Sequence, residues 1–296
     1  MDGPKSYLEA PMTYRCFDVS INENIAHLTL KRGAEFNTMV PEFWRELPEI
    51  VKDIDEYARA RVIVISSTGK HFSAGMDLSV FTSPQSASNV LSSEERGRVR
   101  ANLRTSVLHI QETFNVLERA RMPVLIAIQG GCVGGAVDFA SACDCRYATE
   151  DAFFVIQEIN LGMTADVGTF PRLCHLMPEG MVKELAYAGR RMSARKALEM
   201  GLVNEIFPTQ EAMLAHVMGL AKEIAEKSPL AVYGSKVMIN YARDHSTADG
   251  LDYIATWQAG MFNPETDMRE SFVSKSEKRK PEFADLLPVR KGLGSI

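Results

Sequence analysis

Three acidic residues of the chain stand in unusually apolar surroundings. Asp138 follows the glycines of "QGGCVGGAVD", Glu158 lies in "FFVIQEINLG", and Asp166 lies in "MTADVGTF". Burial of an ionised carboxylate is costly, so an acid in such a context is a helix cap, half of an ion pair, or a group with a raised pKa held ready for proton transfer. The residue types alone leave these roles open for each of the three acids.

Two glycine-containing loops accompany the acids. The segment "FSAGMDL" follows the apolar run "RVIVISS", and "QGGCVGGAVD" follows the apolar run "PVLIAI". Glycine permits close backbone approach or a positive φ, and a helix N-terminus offers unpaired N–H donors. If the two loops end neighbouring strands, they can direct two backbone amides at one oxygen and so form an oxyanion hole. Either loop alone is compatible with a purely structural role, but both loops together with three acids favour a catalytic site.

The elements that must position these residues follow from the hydrophobic pattern. Residues 17–32 are typical of a hairpin with an Asn-Glu-Asn turn. Residues 37–60 have helical periodicity, with Asn37 or Thr38 as the N-cap and with Pro48 expected to kink or split the helix. The remaining runs predict buried strands at 61–67 and 123–130, a long helix at about 94–119 and a short helix at about 135–142. This alternation of strands and helices predicts an α/β domain.

From about residue 170 onward the pattern is nearly all helical. Ser193 is a predicted N-cap, Gly201 a predicted helix stop, and Ser228 followed by proline a predicted helix start. The Ser-rich residues 79–93 have the composition of a mobile loop. No internal repeat and no clear linker interrupt the sequence, which favours one domain with a helical C-terminal extension.

Composition limits the possible function classes. The 296 residues are 46% hydrophobic and 24% charged with a net charge of −5, as in soluble globular proteins that do not bind nucleic acid. No apolar run approaches the roughly 20 residues of a membrane span, so we expect no membrane segment. The five cysteines have neither a disulfide framework nor zinc spacing, which predicts free thiols and no metal site. The first residues resemble neither a signal nor a transit peptide, and "GLGSI" is not a peroxisomal tripeptide, so a cytoplasmic enzyme is expected.

These segments resemble the crotonase superfamily, the enoyl-CoA hydratases and isomerases. "HFSAGMDL" resembles the first oxyanion loop of that family, and "QGGCVGGAVDFASACDCRYATEDAFF" resembles the second loop with its following helix and strand. The resemblance extends through "GRRMSARKALEMGLVNEIFP" and covers roughly residues 14–262. One branch, the Δ3,5-Δ2,4-dienoyl-CoA isomerases, is especially similar in "QEINLGMTADVGTFPRL" and "SPLAVYGSKVMINYARDHSTADGLDYIATW".

The resemblance implies an architecture and its partners. The fold class would be α/β, a crotonase-like spiral of repeated β-β-α units with a helical C-terminal trimerisation region. Residues 1–13 would be a flexible N-terminal lead-in, 14–207 the spiral core and 208–296 the helical oligomerisation region of a homotrimer or homohexamer. The substrate would be an acyl-CoA thioester. No metal and no redox cofactor is implied, because coenzyme A arrives as part of the substrate.

The resemblance also implies roles for particular residues. The amides of Met76 and Gly135 would form the oxyanion hole, and the substrate-binding residues would be Ala74, Gly75, Met76, Asp77, Leu78 and Gly135. The three acids match those of the branch. Glu158 is then the expected base at C2 of a dienoyl thioester and Asp166 the expected acid at C6, while Asp138 orders the site or tunes its neighbours by like-charge repulsion.

Two alternatives remain open at this level. Hydratases of the superfamily hold a water between two glutamates at the positions of Asp138 and Glu158, and the shorter Asp138 together with the additional Asp166 disfavours that chemistry here. A non-catalytic, RNA-binding protein is disfavoured by the acidic composition and by the lack of a basic stripe interleaved with aromatic residues. Gln157 stands where lysine is common in the branch, and Thr164 where alanine is common, so the substrate geometry is less certain than the reaction class.

Overall fold

The computed structural model describes residues 13–82, 96–262 and 264–289. Its strands are β1 (Phe17–Asn22), β2 (Ile25–Leu30), β3 (Val62–Ser67), β4 (Val124–Ile128), β5 (Gly131–Val133), β6 (Cys145–Thr149), β7 (Phe153–Val155), β8 (Met192–Ser193) and β9 (Glu205–Phe207). They form a six-stranded sheet in the order β1-β2-β3-β4-β6-β9 and a three-stranded sheet in the order β5-β7-β8. Apart from the β1–β2 pair, the large sheet is parallel.

Helices cover these sheets and fill the C-terminal third of the chain. They are α1 (Pro41–Glu56), α2 (Ser79–Thr82), α3 (Arg96–Arg119), α4 (Gly135–Ser141), α5 (Thr169–Leu176), α6 (Glu179–Ala188), α7 (Ala194–Met200), α8 (Gln210–Ala225), α9 (Pro229–Asp244), α10 (Thr247–Met261) and α11 (Asp267–Glu277). Short 3₁₀ turns occupy Gly33–Glu35 and Glu158–Leu161. The predicted α/β class is confirmed.

The N-terminal hairpin is confirmed, whereas the predicted caps of the first long helix are wrong. Glu23 and Asn24 have φ values of 49° and 62°, as the two central residues of a type I′ hairpin turn require. Helix α1 begins at Pro41 with Val40 as its N-cap, and no side chain caps it. Asn37 instead has a φ of 50°, and its side-chain amide donates to the carbonyl oxygens of the loop that follows β3.

The prediction that Pro48 splits the first long helix is wrong as well, and the alternative that it kinks the helix stays a prediction. Helix α1 continues unbroken from Pro41 to Glu56. Proline has no N–H, so the carbonyl of Trp44, four residues earlier, loses its helical donor. The Thr113 hydroxyl of helix α3 donates to that carbonyl oxygen at 3.2 Å. A tertiary hydrogen bond therefore satisfies the group that the proline leaves without a helical partner.

Two apolar clusters flank the large sheet. The larger joins helices α1 and α3 to one face of the sheet and includes Phe43, Phe114 and Phe139. The smaller lies under helix α8, where Val217 and Ala221 pack with residues of β3 and β4. Helix α8 thus shares the core of the sheet, and the assignment of residues 208–296 to oligomerisation stays a prediction.

Other local predictions have clear outcomes. Ser193 and Ser228 cap helices α7 and α9 by accepting backbone N–H groups, and Gly201 ends α7 in a left-handed conformation, as predicted. The predicted N-terminal lead-in lies outside the described residues except for Thr13. The predicted loop at 79–93 is wrong for Ser79–Thr82, which form helix α2, and lies outside the described residues from 83 onward. Within the described part of the chain, the helices are too short or too polar to cross a bilayer.

Candidate active site

The two glycine loops run side by side beyond the ends of β3 and β4. The Ser73 amide donates to the Gly131 carbonyl, and the Val133 amide donates to the Ser73 carbonyl, both at 3.1 Å. Gly75 has a φ of 82°, and a Cβ added there would lie 2.5 Å from the Val133 carbonyl oxygen. Glycine is therefore required at position 75, because only a residue without a side chain lets the loops approach this closely.

Two backbone amides meet at the junction of these loops. A Cβ added at Gly135 would lie 3.9 Å from the Met76 nitrogen, and one added at Gly75 would lie 3.2 Å from the Gly135 nitrogen. Neither the Met76 nor the Gly135 N–H donates to any other described residue. Gly135 is also the first residue of helix α4, where N–H groups have no partner within the helix. The pair can donate to one external oxygen, as an oxyanion hole does.

A cavity of about 970 Å³ opens next to these amides. Predicted substrate-binding residues that line it are Ala74, Met76, Leu78 and Gly135, and all three predicted acids line it too. Gly75 and Asp77 are not among the lining residues. Asp77 instead accepts hydrogen bonds from the hydroxyl groups of Thr38 and Ser79, which lower the pKa of its carboxyl group. Asp77 thus ties the loop to the segment before helix α1 and to the first residue of helix α2.

Asp138 is the most deeply buried of the three acids. Only 1% of its surface is exposed, and its Oδ1 accepts the backbone N–H of Thr169 at 2.6 Å. Burial, and to a smaller extent the neighbouring Glu158, raise the pKa of Asp138 to about 7, while the Thr169 hydrogen bond and the Arg172 charge act in the opposite direction. This acid can therefore exchange its proton near neutral pH.

Glu158 lies on the 3₁₀ turn after β7 and faces the glycines. A Cβ added at Gly134 would lie 3.2 Å from its Oε1, so the carboxylate packs against the glycine backbone. Its Oε2 is buried and accepts no hydrogen bond from the described residues. Burial first, and the charge of Asp166 second, raise the pKa of this carboxyl group. A half-buried carboxylate with an unpaired oxygen in a cavity has the properties of a general base.

Asp166 differs from the other two acids because its side chain is exposed. It lines the cavity from the segment before helix α5, and its carbonyl oxygen accepts the side-chain amide of Gln111 at 2.6 Å. The charge of Asp166 acts on Glu158, and the charge of Glu158 acts on Asp138. The structure therefore brings all three predicted acids into one electrostatically connected group.

Several residues that line the cavity were not among the sequence predictions. Helix α3 contributes Leu103, Val107 and Ile110, and helix α1 contributes Trp44. Arg191 is the one cation among the described lining residues, and its guanidinium lies 4.3 Å from the centre of the Phe153 ring. The sequence offers no local signal for Arg191, because the antiparallel pairing of β7 with β8 is what places it beside Phe153.

The two departures from the branch pattern both lie at the cavity. Gln157 lines it and accepts the Asn160 side-chain amide at 3.1 Å, and Thr164 is an exposed lining residue. His71 has a structural role, since its Nδ1 accepts the Gly131 N–H at 2.9 Å and fixes the second loop. Among the described residues, no cluster of side chains has the composition of a metal site.

Comparisons with known proteins agree with this geometry. A profile of the family "Enoyl-CoA hydratase/isomerase" matches residues 20–286. The chain is 41% identical over 264 residues to the human protein "Delta(3,5)-Delta(2,4)-dienoyl-CoA isomerase, mitochondrial", with 88% of this chain and 79% of that protein covered. It is 36% identical over 279 residues to the peroxisomal protein of the same name from Arabidopsis thaliana, with coverages of 94% and 99%.

Solved structures show the same fold. The crystal structure of an enoyl-CoA hydratase from Bacillus anthracis superposes with a TM-score of 0.80 at 28% identity, covering 93% of this chain and all of that chain. The fold is therefore the crotonase fold expected from the two loops, and the matched profile spans nearly all of the described residues. On both grounds, this chain belongs to the enoyl-CoA hydratase/isomerase family.

Proposed function

We propose that this protein is a Δ3,5-Δ2,4-dienoyl-CoA isomerase, which converts a 3,5-dienoyl-CoA into the 2,4-dienoyl-CoA. The observation that carries the proposal is one apolar cavity bordered by three carboxyl groups and two unpaired backbone amides. The relatives named dienoyl-CoA isomerase, at 36% and 41% identity over most of this chain, support the same reaction.

The backbone amides act on the thioester carbonyl. The N–H groups of Met76 and Gly135 donate to its oxygen and stabilise the negative charge that develops there when a C2 proton is removed. Such preorganised donors contribute most when water is excluded, and the glycine loops keep these amides free of protein acceptors. The oxyanion hole therefore makes the C2 protons acidic enough for a carboxylate to remove.

Two of the acids move the protons. Glu158 removes a proton from C2, the electron pair shifts along the diene so that double bonds form at C2–C3 and C4–C5, and Asp166 delivers a proton to C6. A proton transfer needs the carboxyl oxygen within about 3 Å of the carbon's proton, and C2 and C6 are four bonds apart. One carboxylate cannot easily serve both carbons, which gives the third acid of the site a function that hydration would not require.

Asp138 supports these two acids. It lies beside the oxyanion amide of Gly135 and accepts the N–H of Thr169. The charge of Glu158 helps to raise the pKa of Asp138 to about 7, so Asp138 is present in both protonation states near neutral pH. We therefore assign Asp138 to ordering the site and to like-charge coupling with Glu158 rather than to direct proton transfer.

The cationic side of the cavity fits the coenzyme A part of the substrate. Three lining acids are opposed by one lining cation, Arg191, within the described residues. Its contact with the Phe153 ring holds the guanidinium in place while leaving its donors available. We assign Arg191 to the phosphates of the substrate, and Ala74 and Leu78 to contacts with the thioester portion.

Assembly, cofactor use and location complete the proposal. Large apolar side chains are exposed on helices α9 to α11 and in the residue after α10, among them Ile239, Leu251, Phe262 and Phe272. These helices are the proposed contacts of a homotrimer or homohexamer.

The proposed reaction needs no metal and no redox cofactor. A cytoplasmic location is the proposal for this chain, and cell fractionation tests it against the mitochondrial and peroxisomal locations in the names of relatives.

A paired ultraviolet assay tests the reaction. One sample of purified protein receives a 3,5-dienoyl-CoA and another a 2-enoyl-CoA of the same length. The isomerase produces fast growth of the conjugated 2,4-dienoyl absorbance and little loss of the enoyl absorbance. Rapid loss of the enoyl band, with the 3,5-dienoyl substrate unchanged, would instead identify a hydratase and remove the role given to Asp166.

A further inference from the structure

One short segment fixes the place of two of the three acids. Residues 166–169 begin with Asp166, which lines the cavity, and end with Thr169, whose N–H donates to Asp138 Oδ1 at 2.6 Å. A displacement of this segment moves the Asp166 carboxyl group and at the same time removes the hydrogen bond that holds Asp138. Whatever holds the segment from behind therefore affects both acids.

Arg172 lies directly behind this segment. Its Nη1 donates to the Val167 carbonyl oxygen at 3.3 Å. Gly168 has a φ of 131°, and a Cβ added there would overlap the Arg172 guanidinium. The backbone at position 168 thus leaves room for the arginine head and for nothing else, so glycine is required by the arginine as well as by the chain conformation.

Arg172 is itself anchored to helix α3. Its Nη2 donates to Asn115 Oδ1 at 2.6 Å and to Glu118 Oε2 at 2.9 Å, and the residue is only 9% exposed. Helix α3 also holds the segment through Gln111, whose side-chain amide donates to the Asp166 carbonyl. The planar guanidinium therefore joins the segment to a helix that lines the substrate cavity.

The charge of Arg172 also acts on the carboxyl group of Asp138. Asp138 is faced by Glu158 from the 3₁₀ turn, by Arg172 from α5 and by the buried Cys132 thiol from β5. Among these, Arg172 supplies the positive charge, and it lowers the pKa of Asp138 against the effects of burial and of Glu158. Arg172 is not among the described residues that line the cavity at the two amides, so we assign it no contact with the substrate.

We propose that Arg172 is a positioning residue of the isomerase reaction, which holds residues 166–169 against helix α3 so that Asp166 and Asp138 keep their places at the substrate. The proposal rests on the proposed function for the reaction that it serves. Its physical basis is that a displacement of about 1 Å of a catalytic group can cost about a hundredfold in rate.

The first variant is Arg172→Lys, which keeps the charge and loses the fork of donors. We expect kcat to fall about a hundredfold while KM changes less than about threefold, because the acids move and the substrate contacts do not. The matched control is Arg243→Lys, since Arg243 donates to the other oxygen of Glu118 at 2.9 Å and its described hydrogen bonds do not involve residues 166–169. The control should retain wild-type kcat.

A second variant keeps the test valid if Arg172→Lys does not fold. Glu118→Gln with Arg172→Gln removes both members of the buried pair, which proteins tolerate better than the loss of one. This double variant should lose kcat as Arg172→Lys does. A wild-type kcat in either Arg172 variant, an equal loss in Arg243→Lys, or a loss that is reversed under conditions where the variant is fully folded would overturn the proposal.

A carboxyl ¹³C NMR titration, with Asp138 assigned from Asp138→Asn, gives a readout that does not need turnover. The midpoint for Asp138 should stay near that of the wild type in Arg172→Lys and rise in the double variant, which lacks the positive charge. An unchanged midpoint in the double variant would contradict the electrostatic part of the proposal. If the wild type fails to isomerise 3,5-dienoyl-CoA, the proposed function is wrong, but this titration still decides whether Arg172 controls Asp138.

Discussion

Two regions of the substrate cavity differ in their access to water. Beside the glycine loops, Asp138 is 1% exposed and Glu158 is half-buried with an unpaired carboxylate oxygen. On the segment before helix α5, Asp166 is exposed. Burial raises the pKa of the first two carboxyl groups, so they hold protons at higher pH than a solvated acid does.

This difference matches the two halves of the proposed reaction. A base that works on a weakly acidic carbon gains from a raised pKa, because its conjugate acid then holds the proton more strongly. Asp166, the proposed acid, has to be reprotonated after each turnover, and its contact with water allows that. The difference in burial thus favours Glu158 as the base at C2 and Asp166 as the acid at C6, rather than the reverse.

The largest expected effect separates the two acids by isotope exchange. Glu158→Gln should lose isomerisation by about 10²–10⁴-fold, and it should also lose exchange of the substrate C2 protons with D₂O. Asp166→Asn should lose isomerisation to a similar extent but keep the C2 exchange, because Glu158 still removes and returns that proton. Proton NMR of the substrate in D₂O measures both. Loss of exchange in Asp166→Asn together with its retention in Glu158→Gln would reverse the assignment.

The next effect concerns pH. Glu158 must be ionised to act, so kcat/KM should fall as the pH drops through its raised pKa, which lies above the usual range for glutamate. The charge of Asp166 contributes to that rise in the pKa of Glu158. The rate of C2 exchange in Asp166→Asn should therefore begin to fall at a lower pH than it does in the wild type. The pH profiles of both proteins, measured by C2 exchange, check this. Coincident profiles would mean that the two acids do not interact.

The sequence could predict the features of this molecule that depend on local residue types. The hairpin, the buried strands, the two glycine loops and the three acids all have local signals, because burial and backbone conformation restrict the residue types at those positions. The unbroken helix α1 had no such signal, since Thr113, distant in sequence, satisfies the carbonyl that Pro48 leaves unpaired. Arg172 and Arg191 were missed for the same reason: each acts through partners that only the fold brings near.

A third prediction concerns the effect of the buried Asp138 on the stability of the folded protein. The folded state holds the Asp138 proton up to about pH 7, whereas the unfolded chain releases it near 3.8, so the wild type should lose stability as the pH rises between these values. Asparagine can still accept the Thr169 N–H and carries no charge. The free energy of unfolding of Asp138→Asn should therefore increase relative to that of the wild type from pH 4 to 7, by at most about 4 kcal/mol, as measured by chemical unfolding. A difference that stays constant with pH would contradict the raised pKa.

The smallest expected effect lies at the cationic side of the cavity. Arg191 is exposed, so its attraction for a phosphate is screened by water and is worth only about a kilocalorie per mole or less. Arg191→Gln should therefore raise KM for a dienoyl-CoA by about two- to fivefold and leave kcat unchanged. KM for the matching pantetheine thioester, which lacks the nucleotide phosphates, should not change. Arg190→Gln is the control, because Arg190 pairs with Glu184 and does not line the cavity. An equal rise in KM for both thioesters would place Arg191 at the acyl portion of the substrate instead. A positive charge would then lie in the same part of the cavity as the three acids.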